Sequence, residues 1–276
     1  MTPERLALVI GAMKSGTTSL FQYLGDHPEI LPSRTKQLNF FSDPEVWSRG
    51  FEWYGAQWPG ASGAPWHLEA SPSYTYPDRA LQAADRIAGM DARIRLIYLI
   101  RDPIERIESH YFHGFHRGEF AGTRSIGDAV RRHPRLLDVT RYERWIDVYR
   151  RRVGDRRLLV LRTHDLDRDP STTLGEVCRF LEIDPTFNFP DLTTRYNTHA
   201  MQASDHPAVQ ALSRLGWLRR AVRRTVPLRI RERLKLRFKP ESDEASLFHL
   251  TPADRAWVRA QLGDDVAGLF PPESDR

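Results

Sequence analysis

The sequence predicts an α/β protein built on a parallel sheet, on three observations. Strand-like and helix-like stretches alternate along most of the 276 residues. The run Ile-Arg-Leu-Ile-Tyr-Leu-Ile at 94–100 is almost continuously apolar, the pattern of a parallel strand covered on both faces. The chain also opens with an apolar run, a short loop of small residues and a helical spacing in direct succession, over residues 5–24.

That opening unit organises the rest. Leu6 to Ile10 are strand formers, and Gly11 starts the loop Ala12-Met13-Lys14-Ser15-Gly16. Thr17, Thr18 and Ser19 then enter a helix whose apolar spacing is carried by Leu20, Phe21 and Leu24. A tight strand-to-helix turn gathers backbone N–H groups at the positive end of a helix, which is an anion site. Lys14 adds a mobile point charge, and Ser15, Thr17 and Thr18 add hydroxyl donors around Gly16. The plain alternative is an ordinary turn with a solvated lysine. The loop is not a Walker A loop, because Lys14 precedes Gly16 instead of following a glycine.

A helix stop and turn follows at Asp26-His27-Pro28-Glu29-Ile30. Next comes Lys36-Gln37-Leu38-Asn39-Phe40-Phe41, whose two aromatics are read as core. Trp47, Phe51 and Tyr54 fit one helix face and are read as core as well, with an acceptor-cleft wall as the alternative. His67-Leu68-Glu69-Ala70 is a short strand, broken by Ser71-Pro72-Ser73-Tyr74. Helical spacing runs from Asp78 to Met90 and leads into the strand at 94–100. Arg101-Asp102-Pro103 ends that strand, with Pro103 suited to the first turn of the next helix.

This helix carries Arg106, Ser109, His110 and Tyr111. His113, His116 and Arg117 are expected in a loop after it. Residues 142–152 form a helix and 157–162 a further strand. After the segment 163–170 comes a helix at 171–181 that buries Cys178, the single cysteine, so no intrachain disulfide is possible. Residues 214–239 are a basic block with interleaved apolar residues, read as a helix pair split by Pro227 that covers the core. Docking on anionic lipid or on an acidic polymer is its alternative. Thr251 and Pro252 start a last helix as N-cap and first residue. With neither repeats nor a long linker, 1–276 is expected to be one domain.

Two segments carry a resemblance to a known family. The order Lys14-Ser15-Gly16-Thr17-Thr18 after a first strand is similar to the 5′-phosphosulfate loop of the sulfotransferases that use 3′-phosphoadenosine 5′-phosphosulfate (PAPS). Arg101-Asp102-Pro103-x-x-Arg106-x-x-Ser109-His110-Tyr111 resembles the segment with which they hold the 3′-phosphate. The resemblance implies a three-layer sandwich with a central parallel sheet, akin to P-loop nucleotide kinases. It implies transfer of a sulfuryl group from PAPS to a hydroxyl or amine of a carbohydrate, lipid or small-molecule acceptor. Cofactor contacts then fall to Lys14, Ser15, Gly16, Thr17, Thr18, Arg101 and Ser109. Arg195 is assigned to the 3′-phosphate through a partial match at 195–198, and Tyr142 to a position near the adenine. No metal is expected if Lys14 and the helix N–H groups neutralise the charge.

The segment at 36–41 resembles Lys-Glu-x-His-Phe-Phe of carbohydrate sulfotransferases, where the Glu is thought to deprotonate the acceptor. Here Gln37 stands at that position, and an amide cannot be a general base. Glu69, in a segment similar to the family's Glu-x-Ser/Thr-Pro-x-Tyr, becomes the candidate base, with anchoring of a loop as its equal alternative. His113 or His116 is the reserve, and Lys36 is expected to touch the transferring group or the acceptor. The rivals are a small-molecule kinase using ATP and magnesium, and a non-catalytic binder of nucleotides or anionic polymers.

Composition sets the frame. A 40% hydrophobic chain of this length supports one sizeable core. Lys+Arg exceed Asp+Glu, 41 to 36, which suits an anionic ligand. No apolar run reaches the roughly 18 residues that span a bilayer, and residues 6–10 are too short for a signal peptide. A soluble, cytoplasmic protein is expected, with no nucleic-acid partner, since no such motif is present. Zinc spacing is also missing.

Overall fold

A computed structural model describes residues 3–58, 66–115, 117–192 and 248–270. Five parallel strands make one sheet: β1 (Arg5–Gly11), β2 (Ile30–Pro32), β3 (Trp66–Ala70), β4 (Arg93–Ile100) and β5 (Leu158–Arg162), in the order β2-β3-β1-β4-β5. The α/β class and the parallel sheet expected from the sequence are the ones found. β2 is an edge strand that the sequence reading missed, with its first residue, Ile30, placed at the end of a turn. It has three residues and ends in Pro32, so it carries almost no pattern of its own.

Alternation explains why the central strands read as continuously apolar. In β1, Leu6, Leu8 and Ile10 enter the core on one face, and Ala7 and Val9 enter it on the other. In β4, Ile94, Leu96, Tyr98 and Ile100 join the first face and Ile97 and Leu99 the second. Each fully buried aliphatic side chain contributes about 1.5–3 kcal/mol.

One face is covered by α1 (Thr17–Leu24), α9 (Thr163–Arg168) and α10 (Pro170–Leu181), whose Cys178 is buried as expected. The other is covered by α4 (Ala80–Ala88), α5 (Pro103–Phe115), α8 (Tyr142–Val153) and the last helices, α11 (Pro252–Leu262) and α12 (Asp264–Ala267). Thr251 caps α11 by accepting from Asp254 N, as the sequence predicts.

Two expectations need correction. The face of Trp47, Phe51 and Tyr54 is split between α2 (Pro44–Trp47) and α3 (Gly50–Gly55), because Gly50 takes a left-handed φ of 75° between them. The rings still share one cluster around Phe40. His113 lies inside α5, not in a loop, since the helix runs to Phe115. After α5 the structure adds α6 (Ile126–Arg132) and α7 (Arg135–Asp138), for which the sequence reading named no element. His116, Arg195 and the basic block 214–239 lie outside the described residues. No helix among the described residues is long and apolar enough to cross a membrane.

Candidate functional site

The candidate residues gather at the carboxyl edge of the sheet, where ligands of open parallel sheets bind. The loop after β1 supplies Lys14 to Gly16, the segment after β2 supplies Lys36, and the turn between β4 and α5 supplies Arg101.

The loop is shaped by its backbone. One extra residue is inserted in β1 between Val9 and Gly11 relative to β4, which re-aims the chain as it leaves the sheet. Gly11 is required there: a Cβ would sit 2.3 Å from Thr75 Oγ1 and 2.9 Å from the Tyr98 ring. Lys14 and Gly16 both take left-handed φ, 69° and 82°, and Thr17 begins α1. The first N–H groups of a helix have no partner within it, so they face the loop. The loop carbonyls are held from behind. Thr163 Oγ1 donates to Ser15 O (2.8 Å) and is also 2.9 Å from Ile100 O, and Arg101 Nη1 lies 3.5 Å from Lys14 O.

The electrostatics are those of an anion site. Lys36 Nζ lies 3.4 Å from Thr17 Oγ1, which brings a second lysine to the start of α1. Burial, then the Lys14 charge, lowers the Lys36 pKa to about 7. Lys14 is lowered to about 8 by burial and then by Arg101, Arg117 and Arg106. Cations crowded out of water with other cations are stabilised by an anion. Arg101 also pairs with Glu105, whose side chain is 59% exposed, so that ion pair is a weak hold on the guanidinium. The donor set therefore fits a polyanionic nucleotide.

Behind Arg101 the helix α5 is built around a buried pair. Arg106 is fully buried; its Nη2 donates to Leu136 O and its Nη1 lies 3.1 Å from His110 Nδ1. Arginine can only donate, so His110 Nδ1 accepts and the ring proton sits on Nε2. Burial and Arg106 keep His110 neutral, well below its ordinary pKa. Ser109 is buried on the same helix, between His110 and Glu108.

Sequence reasoning placed Lys14, Ser15, Gly16, Thr17, Thr18, Lys36 and Arg101 at one site, and the structure brings these segments together. It gives other surroundings to Glu69 and Tyr142. The Glu69 carboxylate is fully buried and accepts from Tyr54 Oη (2.7 Å), Ser71 Oγ (2.6 Å) and Tyr74 Oη (2.5 Å). A general base must come within hydrogen-bond reach of the proton it takes, and three protein hydroxyls occupy that reach. These contacts fit the loop-anchoring alternative for Glu69, its partners being hydroxyls. Tyr142 is fully buried and donates to Arg101 O (2.9 Å), so it supports the end of β4 and offers no open face to a ring. Asn39 bridges Ser71 and Ser73. Gln37 is exposed, and His113 lies part-exposed on α5.

Arg106 and His110 were named in the second motif without a role of their own, and Thr163 was given none. Arg106 and His110 carried a signal, their i, i+4 spacing within the second motif. Thr163 carried only its place directly after a strand.

A family model described as the sulfotransferase domain matches residues 4–209. The human bifunctional heparan sulfate N-deacetylase/N-sulfotransferase 3 is 28% identical over 215 residues, 70% of this chain and 24% of that protein. The mouse heparan sulfate glucosamine 3-O-sulfotransferase 5 is 30% identical over 105 residues, 38% of this chain and 29% of that protein. The chain thus spans well under half the length of these curated relatives. Among solved structures, a sulfotransferase from Alicyclobacillus acidocaldarius shares the fold with a TM-score of 0.58 at 23% identity, covering 92% of this chain and 99% of that one. A mouse sulfotransferase, SULT7A1 complexed with PAP, gives 0.51 at 14% identity, covering 96% and 85%.

Proposed function

The chain belongs to the sulfotransferase family, and from that premise we propose that it transfers a sulfuryl group from PAPS to a hydroxyl or amine of an acceptor. The observation that carries this reading is the meeting of Lys14, Lys36 and Thr17 at the start of α1, with Arg101 against the same loop. Lys14 and the N–H groups of residues 16–18 hold the 5′-phosphosulfate. Lys36 faces the transferring group from the neighbouring segment. Arg101 and Ser109 hold the 3′-phosphate.

The co-substrate supplies an activated sulfuryl group, and the protein contributes position and charge. Cations fixed beforehand at the bridging and outer oxygens stabilise charge as it develops, without reorganisation. Gln37 has no basicity and Glu69 is enclosed, so neither takes the acceptor proton. That favours an acceptor that loses its proton easily, such as a phenol, or an amine that attacks in its neutral form. The two heparan sulfate relatives direct a second arm of the acceptor screen to amino and hydroxyl groups of glycans.

A thermal-shift comparison tests the nucleotide. Adenosine 3′,5′-bisphosphate at a hundred times its Kd stabilises the fold by about 2.7 kcal/mol, and ATP with magnesium does not. Stabilisation by ATP–magnesium alone identifies a kinase instead. Incubation with PAPS and acceptor panels, read as a sulfate mass gain, then identifies the acceptor.

A further inference from the structure

A carboxylate buried without a cation is costly unless its oxygens are hydrogen-bonded. Glu69 meets that condition with three hydroxyls, and each hydroxyl has a second contact on one short stretch of chain. Ser71 Oγ donates to Glu69 Oε1 and accepts from Asn39 N (3.0 Å). Tyr74 Oη donates to the same oxygen and accepts from Phe41 N (3.4 Å). Tyr54 Oη donates to Oε2 while its ring stacks on Phe40, centroids 4.2 Å apart at 14°. Residues 39, 40 and 41 are therefore each tied to Glu69 through a different side chain.

The direction of these bonds matters. A carboxylate only accepts, so it draws the Ser71 and Tyr74 protons inward. Their lone pairs are left facing the Asn39 and Phe41 N–H groups. The stretch they hold needs holding. Gln37 and Asn39 both take left-handed φ, 66° and 57°, a conformation that costs energy for residues other than glycine. Gln37 N is pinned to Ala70 O (3.0 Å), the residue after Glu69. Lys36 directly precedes this pinned pair and reaches Thr17.

We propose that Glu69 is a positioning residue: through Ser71, Tyr74 and Tyr54 it fixes residues 37–41 and so sets Lys36 against the anion loop. The proposal rests on the sulfuryl-transfer reading for its kinetic arm and is independent of it for its exchange arm.

The conservative variant separates positioning from proton transfer. In Glu69→Gln the amide oxygen can stay at Oε1, accepting from Ser71 and Tyr74, while its NH2 faces Tyr54, which can accept. Glu69→Gln is expected within about threefold of wild-type kcat, and Glu69→Leu to lose at least tenfold, since a positioned cation is worth that much. Ser71→Ala cuts only the Asn39 link and serves where Glu69→Leu does not fold. In either disrupting variant, hydrogen exchange of amides 37–41 rises severalfold above wild type, whereas Glu69→Gln leaves it unchanged. Adding Ser71→Ala to Lys36→Ala lowers kcat no further, because both act through one side chain. The proposal is overturned if Glu69→Gln loses as much turnover as Glu69→Leu with exchange unchanged, which assigns a proton to Glu69. It is also overturned if exchange stays at wild-type level in Ser71→Ala, or if that variant and Lys36→Ala are additive. A wild type with no turnover sinks the sulfuryl-transfer reading, and the exchange arm still decides this one.

Discussion

Two stretches at the carboxyl edge of the sheet use the same backbone trick for opposite ends. Residues 13–18 and 36–41 both contain left-handed residues, and both carry a lysine whose charge is pushed toward neutrality by burial. In the first stretch two carbonyls are held from behind, by Thr163 and Arg101, and the helix N–H groups face the site. In the second the N–H groups of Gln37, Asn39 and Phe41 are consumed inward, by Ala70, Ser71 and Tyr74. One stretch is an anion cradle made of main chain. The other is a mount that delivers one side chain, Lys36.

The cradle should be the harder to damage without loss. Lys14→Ala removes the cation fixed in it, and a preorganised charge of this kind is worth about 3 kcal/mol, roughly a hundredfold in kcat. Turnover within threefold of wild type would mean that the main chain alone carries the charge and that the contrast with the mount is overdrawn. Lys36→Ala, measured beside it, compares the two stretches directly.

A smaller effect tests whether the 3′ end is a separate region. Ser109→Ala should weaken adenosine 3′,5′-bisphosphate by roughly 1 kcal/mol, the worth of a typical hydrogen bond, and leave adenosine 5′-phosphosulfate unchanged. Arg101→Ala should weaken both, and the bisphosphate more, because Arg101 also reaches the loop at Lys14 O. Equal losses for both ligands in both variants, read by calorimetry, would place these residues on the 5′ side.

The cradle was legible in the sequence and the mount was not, for a physical reason. A loop that must bend at Gly11, turn at Gly16 and present Lys14 and hydroxyls leaves fixed residue types in a fixed order. The central strands were legible for a similar reason, since burial on both faces demands apolar residues at nearly every position. The mount depends on which hydroxyls meet Glu69 across the sheet edge, and Tyr54 lies in another element altogether. Nothing local encodes that meeting, so Glu69 looked equally suited to proton transfer. β2 escaped for want of length, and His110 because its tautomer depends on a partner that only the folded helix supplies.

The two lysines also set the smallest effect, a proton count. Lysine ordinarily titrates near 10.5; here burial lowers Lys14 to about 8 and Lys36 to about 7. The unfolded chain keeps both protons at pH 8 to 9 while the native protein releases them. The native state then binds fewer protons, so stability contributed by these groups rises with pH above about 7, and below that pH their full burial cost remains. A bound anion reverses the preference, because it favours the charged amines. Binding of adenosine 3′,5′-bisphosphate at pH 8 should therefore take up protons, and affinity should fall as pH rises through 7 to 9. Calorimetry in two buffers of different ionisation enthalpy measures the uptake directly. Lys36→Ala should shrink it and leave the part due to Lys14. If uptake is absent in the wild type, the free site keeps its lysines charged, and the cradle and its mount stand open to water before the nucleotide arrives.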